Sequence, residues 1–136
     1  MAAGDSAVII ELLGNGGDPV RYTVADGTAI EKGQLMVLTD PRTIVASSVD
    51  NEAFAGVLAA EKVASDGSTT IACYTHGIFD INNAAAITVG ERVSIAGDDE
   101  VTKVAAADLL FSDVGIALET AASADEVIAI LIGSGF

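Results

Sequence analysis

The sequence predicts an all-β fold: a small β-barrel or β-sandwich built from two similar units, with at most one short helix and an N-terminal arm. Three observations carry that expectation. Val, Ile and Thr together number 37 of 136 residues, and branched side chains suit a pleated, half-buried surface. Short apolar runs alternate with Gly, Asp, Asn and Pro at regular spacing, as in strands joined by tight turns. The second half also partly repeats the first. Ile30-Glu-Lys-Gly33-Gln-Leu-Met-Val-Leu38 lines up with Ile87-Thr-Val-Gly90-Glu-Arg-Val-Ser-Ile95 at an offset of 57. Phe54 meets Phe111 and Ile71-Ala72 meets Ile128-Ala129 at the same offset. Gly56-Val57 meets Gly115-Ile116 at 59, and Gly77 meets Gly133 at 56. Self-similarity at one spacing reads as two copies of one supersecondary unit. The units run over about 26–79 and 83–136. Residues 1–25 are then an arm and first strands, and 26–136 a single β-barrel domain.

Taken in order, Ala7 to Leu13 is a strand-like run followed by the glycine-rich hinge Gly14-Asn-Gly-Gly-Asp18. Val20 to Val24 alternates as a strand. In each Ile-x-x-Gly-polar segment the Ile anchors in the core. The Gly takes a positive φ, and the chain turns into a strand, Leu35 to Thr39 in the first unit. Thr43 to Ala46, Ala53 to Ala59 and Thr69 to Tyr74 read as strands, with a bulge or close approach at Gly56. Gly77 to Ile81 closes the unit. In the second unit Glu100 to Val104 alternates, Ala105 to Phe111 reads as one helical turn, and Val114 to Leu118 and Val127 to Ile132 are the last strands. The final run is apolar on both faces, which suits the centre of a sheet or a closed barrel.

Composition excludes several function classes. Twenty carboxylates against six Lys and Arg leave a net charge of −14. Nucleic-acid binding needs clustered cations, so no direct nucleic-acid partner is expected. An anionic membrane is disfavoured for the same reason, and no 18-residue apolar run exists to span one. Such acidity serves solubility, or stability in high salt, where self-repulsion is screened. One cysteine, Cys73, rules out an internal disulfide framework. With no basic, apolar leader at the N-terminus, synthesis in a host cytoplasm is expected.

Candidate chemistry is sparse. Cys73 and His76 are the one Cys/His pair, and a three-residue separation along a strand sends them to opposite faces. Asp98-Asp99-Glu100 is the densest acidic cluster, but it matches no calcium loop and reads as a solvated turn. The glycine-rich segment lacks the Lys-Ser/Thr of a phosphate loop. The Gly27 to Leu35 segment shares turn chemistry with biotinyl and lipoyl carrier domains, but lacks their lysine context. No catalytic residue, cofactor or metal ligand is therefore expected, and the chain reads as a non-enzyme.

The chain as a whole resembles tailed-virus head decoration, or cement, proteins. The resemblance rests on Gly27-Thr-Ala-Ile-Glu-Lys-Gly33-Gln-Leu-Met-Val-Leu, on Phe54-Ala-Gly-Val-Leu-Ala-Ala with Thr70-Ile-Ala-Cys-Tyr-Thr-His-Gly-Ile-Phe79, and on Ala85 through Gly90-Glu-Arg-Val and Val114 to Ile132. It implies a β-tulip-like subunit with no catalytic residues, bound to the outer surface of an assembled capsid. The partners it implies are the major capsid protein and further copies of itself, as a homotrimer. Its implied place is the virion, as a late protein. An N-terminal segment often docks on the shell in such proteins; here the candidate is Ala7, Val8, Ile9, Ile10, Glu11, Leu12 and Leu13. An ordinary strand of the body is the competing reading of this run. Another non-enzymatic β-barrel subunit, from a tail, fibre or surface layer, is the competing reading of the whole.

Overall fold

The computed structural model describes residues 7–11, 19–50, 52–104 and 113–133. All regular elements among them are strands: β1 (Val8–Glu11), β2 (Val20–Thr23), β3 (Leu35–Asp40), β4 (Thr43–Ala46), β5 (Phe54–Leu58), β6 (Thr70–Tyr74), β7 (Gly77–Asn83), β8 (Arg92–Gly97), β9 (Glu100–Lys103), β10 (Asp113–Ala117) and β11 (Val127–Ile132). The expected all-β class is what the structure has. The helical turn expected at Ala105 to Phe111 lies outside the described residues.

The strands form two rings of the same order. Ring 1 is the closed barrel β2-β4-β3-β5-β6. Ring 2 runs β7-β11-β10-β8-β9 and closes through a β7–β9 pairing. Each ring closes by a short parallel contact, Thr23 on Thr43 in ring 1 and Asn82-Asn83 on Glu100-Val101 in ring 2. All other pairings within the rings are antiparallel. Thus β2 corresponds to β7, β3 to β8, β4 to β9, β5 to β10 and β6 to β11.

The residue-level repeat is as close as the strand order. Gly33 and Gly90 both sit at φ 91, the positive value the Ile-x-x-Gly turns require. Their N–H groups bond to Leu58 O and Ala117 O. Ile30 pairs across to Lys62, and Ile87 to Ala121. Gly56 and Gly115 are also equivalent. A Cβ on Gly56 would lie 2.6 Å from Tyr74 O, and one on Gly115 would run into Leu131 O.

Two of the sequence matches shift. Val37 faces Phe54 and Ser94 faces Asp113, so the partner of Phe54 is Asp113 rather than Phe111. Gly77 opens β7 and so answers to the start of β2, whereas Gly133 follows β11. Ring 1 also includes Val20 to Thr23, upstream of the matching segments. The reason is burial. β2 is exposed along most of its length and polar, while β7 is largely buried, so the two strands share no apolar pattern.

Ring 1 encloses Met36, Ile44, Leu58, Ile71 and Cys73. The opposite side chains of β3 and β5 (Leu35, Val37 and Val57) join the core of ring 2 with Phe79, Ile81, Val93, Ile95, Ile128, Ile130 and Ile132. Tyr74 and Phe79 meet at 6.1 Å across this junction. The outer face of ring 1 is therefore part of the core of ring 2, while the interior of ring 1 is a second, separate apolar cluster.

Candidate functional site: strand edges and the ring junction

The run Ala7 to Leu13 contributes a strand to ring 2. β1 adds antiparallel to β7, Val8 against Asp80 and Ile9 against Phe79, with a bulge before Glu11. Among the described residues it is the end strand of the six-stranded sheet and pairs with β7 alone. Ala7 is buried, its N–H bonds to Gly33 O at 2.8 Å, and Ile9 packs on the shared core. Leu12 and Leu13 lie outside the described residues. β1 can take this place because β7 is longer than β2. The same side of β7 meets β9 at Asn82-Asn83 and β1 at Ile78–Asp80.

The equivalent edge of ring 1, Val20–Tyr22, carries no strand among the described residues. The Arg42 guanidinium reaches it instead and donates to Arg21 O at 2.6 Å. Arg42 sits in the β3–β4 turn at φ 50, and its own O accepts from Thr23 N–H. Arg21 donates to Thr70 Oγ1 at 3.1 Å. A charged side chain laid along an edge keeps stray strands from adding there. The sequence reading did not single out these two arginines; two cations flanking an exposed strand of a strongly acidic chain were the available signal.

Two other cations are structural. Lys62 is buried, with Nζ 3.0 Å from Asp26 Oδ1 and 2.8 Å from Asp66 Oδ1. Burial alone would lower its pKa, but the hydrogen bonds it donates to Asp66 and Asp26 outweigh this and raise it. The Lys62 hydrogen bond, helped by Ser68 N–H, holds Asp66 down at about 2. Arg92 donates through Nε to Asp113 Oδ2 at 2.9 Å.

Asp99 departs from expectation. Its turn was expected to be solvated, yet its side chain is buried at the ring junction. Leu35 N–H donates to Asp99 Oδ1 at 2.7 Å, and Asp99 N–H donates to Ser47 Oγ at 3.1 Å. Oδ2 has no hydrogen-bond partner among the described residues. Burial pushes this carboxyl up to about 7, against the lowering effect of the Leu35 N–H. The acidic triplet hid this because a turn at a sheet end is exposed unless another unit covers it.

Cys73 is wholly buried inside ring 1, where burial pushes its thiol up to about 12. A thiol held neutral is a poor nucleophile. His76 follows β6 and lies beside Gly133 at the end of ring 2. No cluster of His, Cys, Asp or Glu among the described residues could hold a metal, and no helix among them is long and apolar enough to cross a membrane. What the arrangement offers is surface: strand edges and charge on a doubly built β body.

The fold is a twice-built β body, five strands to each ring. A family model described as phage cement protein matches residues 15–132. The chain belongs to that family of virion structural proteins, whose role is capsid stabilisation. No curated protein sequence matches it.

Proposed function

We propose that this protein binds the outer surface of an assembled phage capsid as a homotrimer and stabilises the shell. The family match over residues 15–132 carries this reading. The fold is consistent with it, because the outer face of ring 1 packs into the core of ring 2 and ties the two rings together. Ligand binding to the assembled state stabilises it by mass action, multiplied over the symmetric copies of a shell. The major capsid protein is the proposed partner, and the net charge of −14 argues against direct contact with the packaged genome.

The segment Ala7–Leu13 is proposed as part of the attachment apparatus. Purified protein mixed with undecorated shells of its phage is expected to bind at stoichiometric occupancy; absence of binding overturns the reading. Removing residues 1–13 is expected to abolish attachment. It also uncovers the β7 edge and withdraws Ala7 and Ile9 from the core, a loss of about 2 kcal/mol that a melting curve would show.

A further inference from the structure

The β8–β9 hairpin of ring 2 is fastened to ring 1 at three polar points. Ala96 bridges antiparallel to Asp50. Asp99 N–H donates to Ser47 Oγ at 3.1 Å, and Leu35 N–H donates to Asp99 Oδ1 at 2.7 Å. Two of these three ties run through one residue, Asp99.

The repeat shows that the hairpin itself has no need of this carboxyl. At the offset of 57, Asp99 answers to Arg42. Both hold a positive φ, 55 and 50, at the same place in the same turn. Arg42 reaches β2 of its own ring, whereas Asp99 reaches across to the other. The carboxyl therefore serves the junction and not the turn.

Its setting disfavours an ionised acid. The side chain is buried, and Oδ2 has no hydrogen-bond donor among the described residues. Gln34 stands close enough to lower the pKa, without completing a hydrogen bond to Oδ2. Asp98 from its own turn and Glu31 from the turn before β3 act the other way by charge. The loop after Ser47 carries Asp50 and Glu52, and Glu52 is turned to the N–H groups of Ser48 and Val49. A cleft of about 420 Å³ beside the hairpin is lined by Glu31, Gln34, Glu61, Lys62 and Asp98. The Lys62 ammonium is committed to Asp26 and Asp66. Water in this cleft reaches Gln34 and Asp98, both next to the carboxyl.

We propose that Asp99 is a proton-operated latch between the rings: protonated, it holds the β8–β9 hairpin on ring 1, and ionised, it lets the hairpin part from ring 1. A proton removes the charge that Oδ2 has no donor to balance. Parting gives the carboxylate to water and takes it away from Glu31. With the hairpin closed the carboxyl is raised to about 7, against an ordinary 3.8. The hold is thus complete below about pH 4 and is lost as pH rises through 7, opening growing about tenfold per pH unit before it levels. The rest of both rings stays closed, because local openings involve units smaller than the whole chain.

The test is native-state amide exchange on the full chain from pH 5 to 8, each rate divided by that of an unstructured amide at the same pH. Protection at Leu35 and Asp99 is expected to fall about tenfold per unit up to pH 7 and then to level. Amides of β6 and β11, away from the hairpin, are expected to keep theirs. Asp99→Asn retains an acceptor for Leu35 N–H and cannot ionise, so its Leu35 protection is expected to be independent of pH. Wild-type Leu35 protection that does not change with pH overturns the latch. A fall shared equally by β6 and β11 overturns it too, since the whole chain would then be opening. An equal fall in Asp99→Asn would assign the effect to another group. The comparison of Leu35 with β6 and β11 in wild type decides the matter even where the variant does not fold.

Discussion

Ring 1 and ring 2 share strand order, turns and close-packed glycines, and differ in how each is secured. The same junction, where the opening strand meets the loop before the last strand, is tied in ring 1 by Lys62 with Asp26 and Asp66. In ring 2 it is tied by the buried Asn83 amide. Asn83 Nδ2 donates to Ala85 O and Ser123 O, and its Oδ1 accepts from Glu126 N–H. One ring uses charge and the other a neutral amide to satisfy the same crossing of loops. The outer face of β3 and β5 differs more. In ring 1 it is Leu35, Val37, Phe54 and Val57, and the equivalent positions of ring 2 are Arg92, Ser94, Asp113 and Ile116. The apolar set is the one covered by the other ring. A duplicated unit thus keeps its turns and changes whichever face its neighbour covers.

The largest way to break this likeness is at its tightest point. Gly115→Ala is expected to cost about 4 kcal/mol or more, because the new Cβ meets backbone of the paired strand β11. A soluble, cooperative melt near that of wild type would show that β10 and β11 can part locally.

Next comes the asymmetry of Ile95 and Leu38, which occupy equivalent positions. Ile95 is buried at the ring junction, while Leu38 is 40% exposed. Ile95→Ala is expected to destabilise by about 3 kcal/mol, and Leu38→Ala by under about 1. Equal losses in denaturant titrations would mean that the shared core does not end where the structure places it.

Smaller again is the polar face of ring 2. Arg92→Leu leaves Asp113 buried without its ion partner and should cost about 2 kcal/mol, less than a fully buried pair because Arg92 is itself half exposed. Arg92→Leu with Asp113→Leu should recover much of that loss. No recovery would mean that the pair stabilises more than apolar packing can replace.

The mildest effect is a pH slope. Asp99 titrates at about 7 in the folded chain, against an ordinary 3.8. The folded state therefore holds the proton more tightly, so this residue's contribution is fully present below pH 4 and is lost as pH rises through 7. Asp66 has the opposite sign: its contribution is present above pH 4 and is lost as pH falls toward 2. Asp99→Asn is expected to keep the Leu35 bond and to flatten melting temperature between pH 5 and 8. An unchanged slope would remove Asp99 as its source.

Much of the fold was legible because turn chemistry is local. The Ile-x-x-Gly segments required a positive φ at one residue, and Gly33 and Gly90 meet it at the same angle. Gly56-Val57 against Gly115-Ile116 was legible because a close strand approach admits only glycine. The β2–β7 equivalence was hidden, since strands with different neighbours bury different faces and lose their common pattern. The candidate edge was hidden as well. Arg21 and Arg42 are 21 residues apart, and no spacing rule joins a strand to a turn beyond the next strand.

By itself, then, the sequence determined the all-β class, the internal duplication, the glycine turns and the absence of a cation-rich surface, all consequences of short-range conformational preference and composition. Only the tertiary structure decided that the duplicated units are two strand rings joined through the outer face of ring 1, that Asp99 is buried between them, and that β1 fills one edge while its counterpart carries no strand among the described residues. Those features depend on which surface each unit turns toward the other. That choice is a matter of packing between distant segments, where burial and hydrogen-bond satisfaction are settled jointly rather than residue by residue.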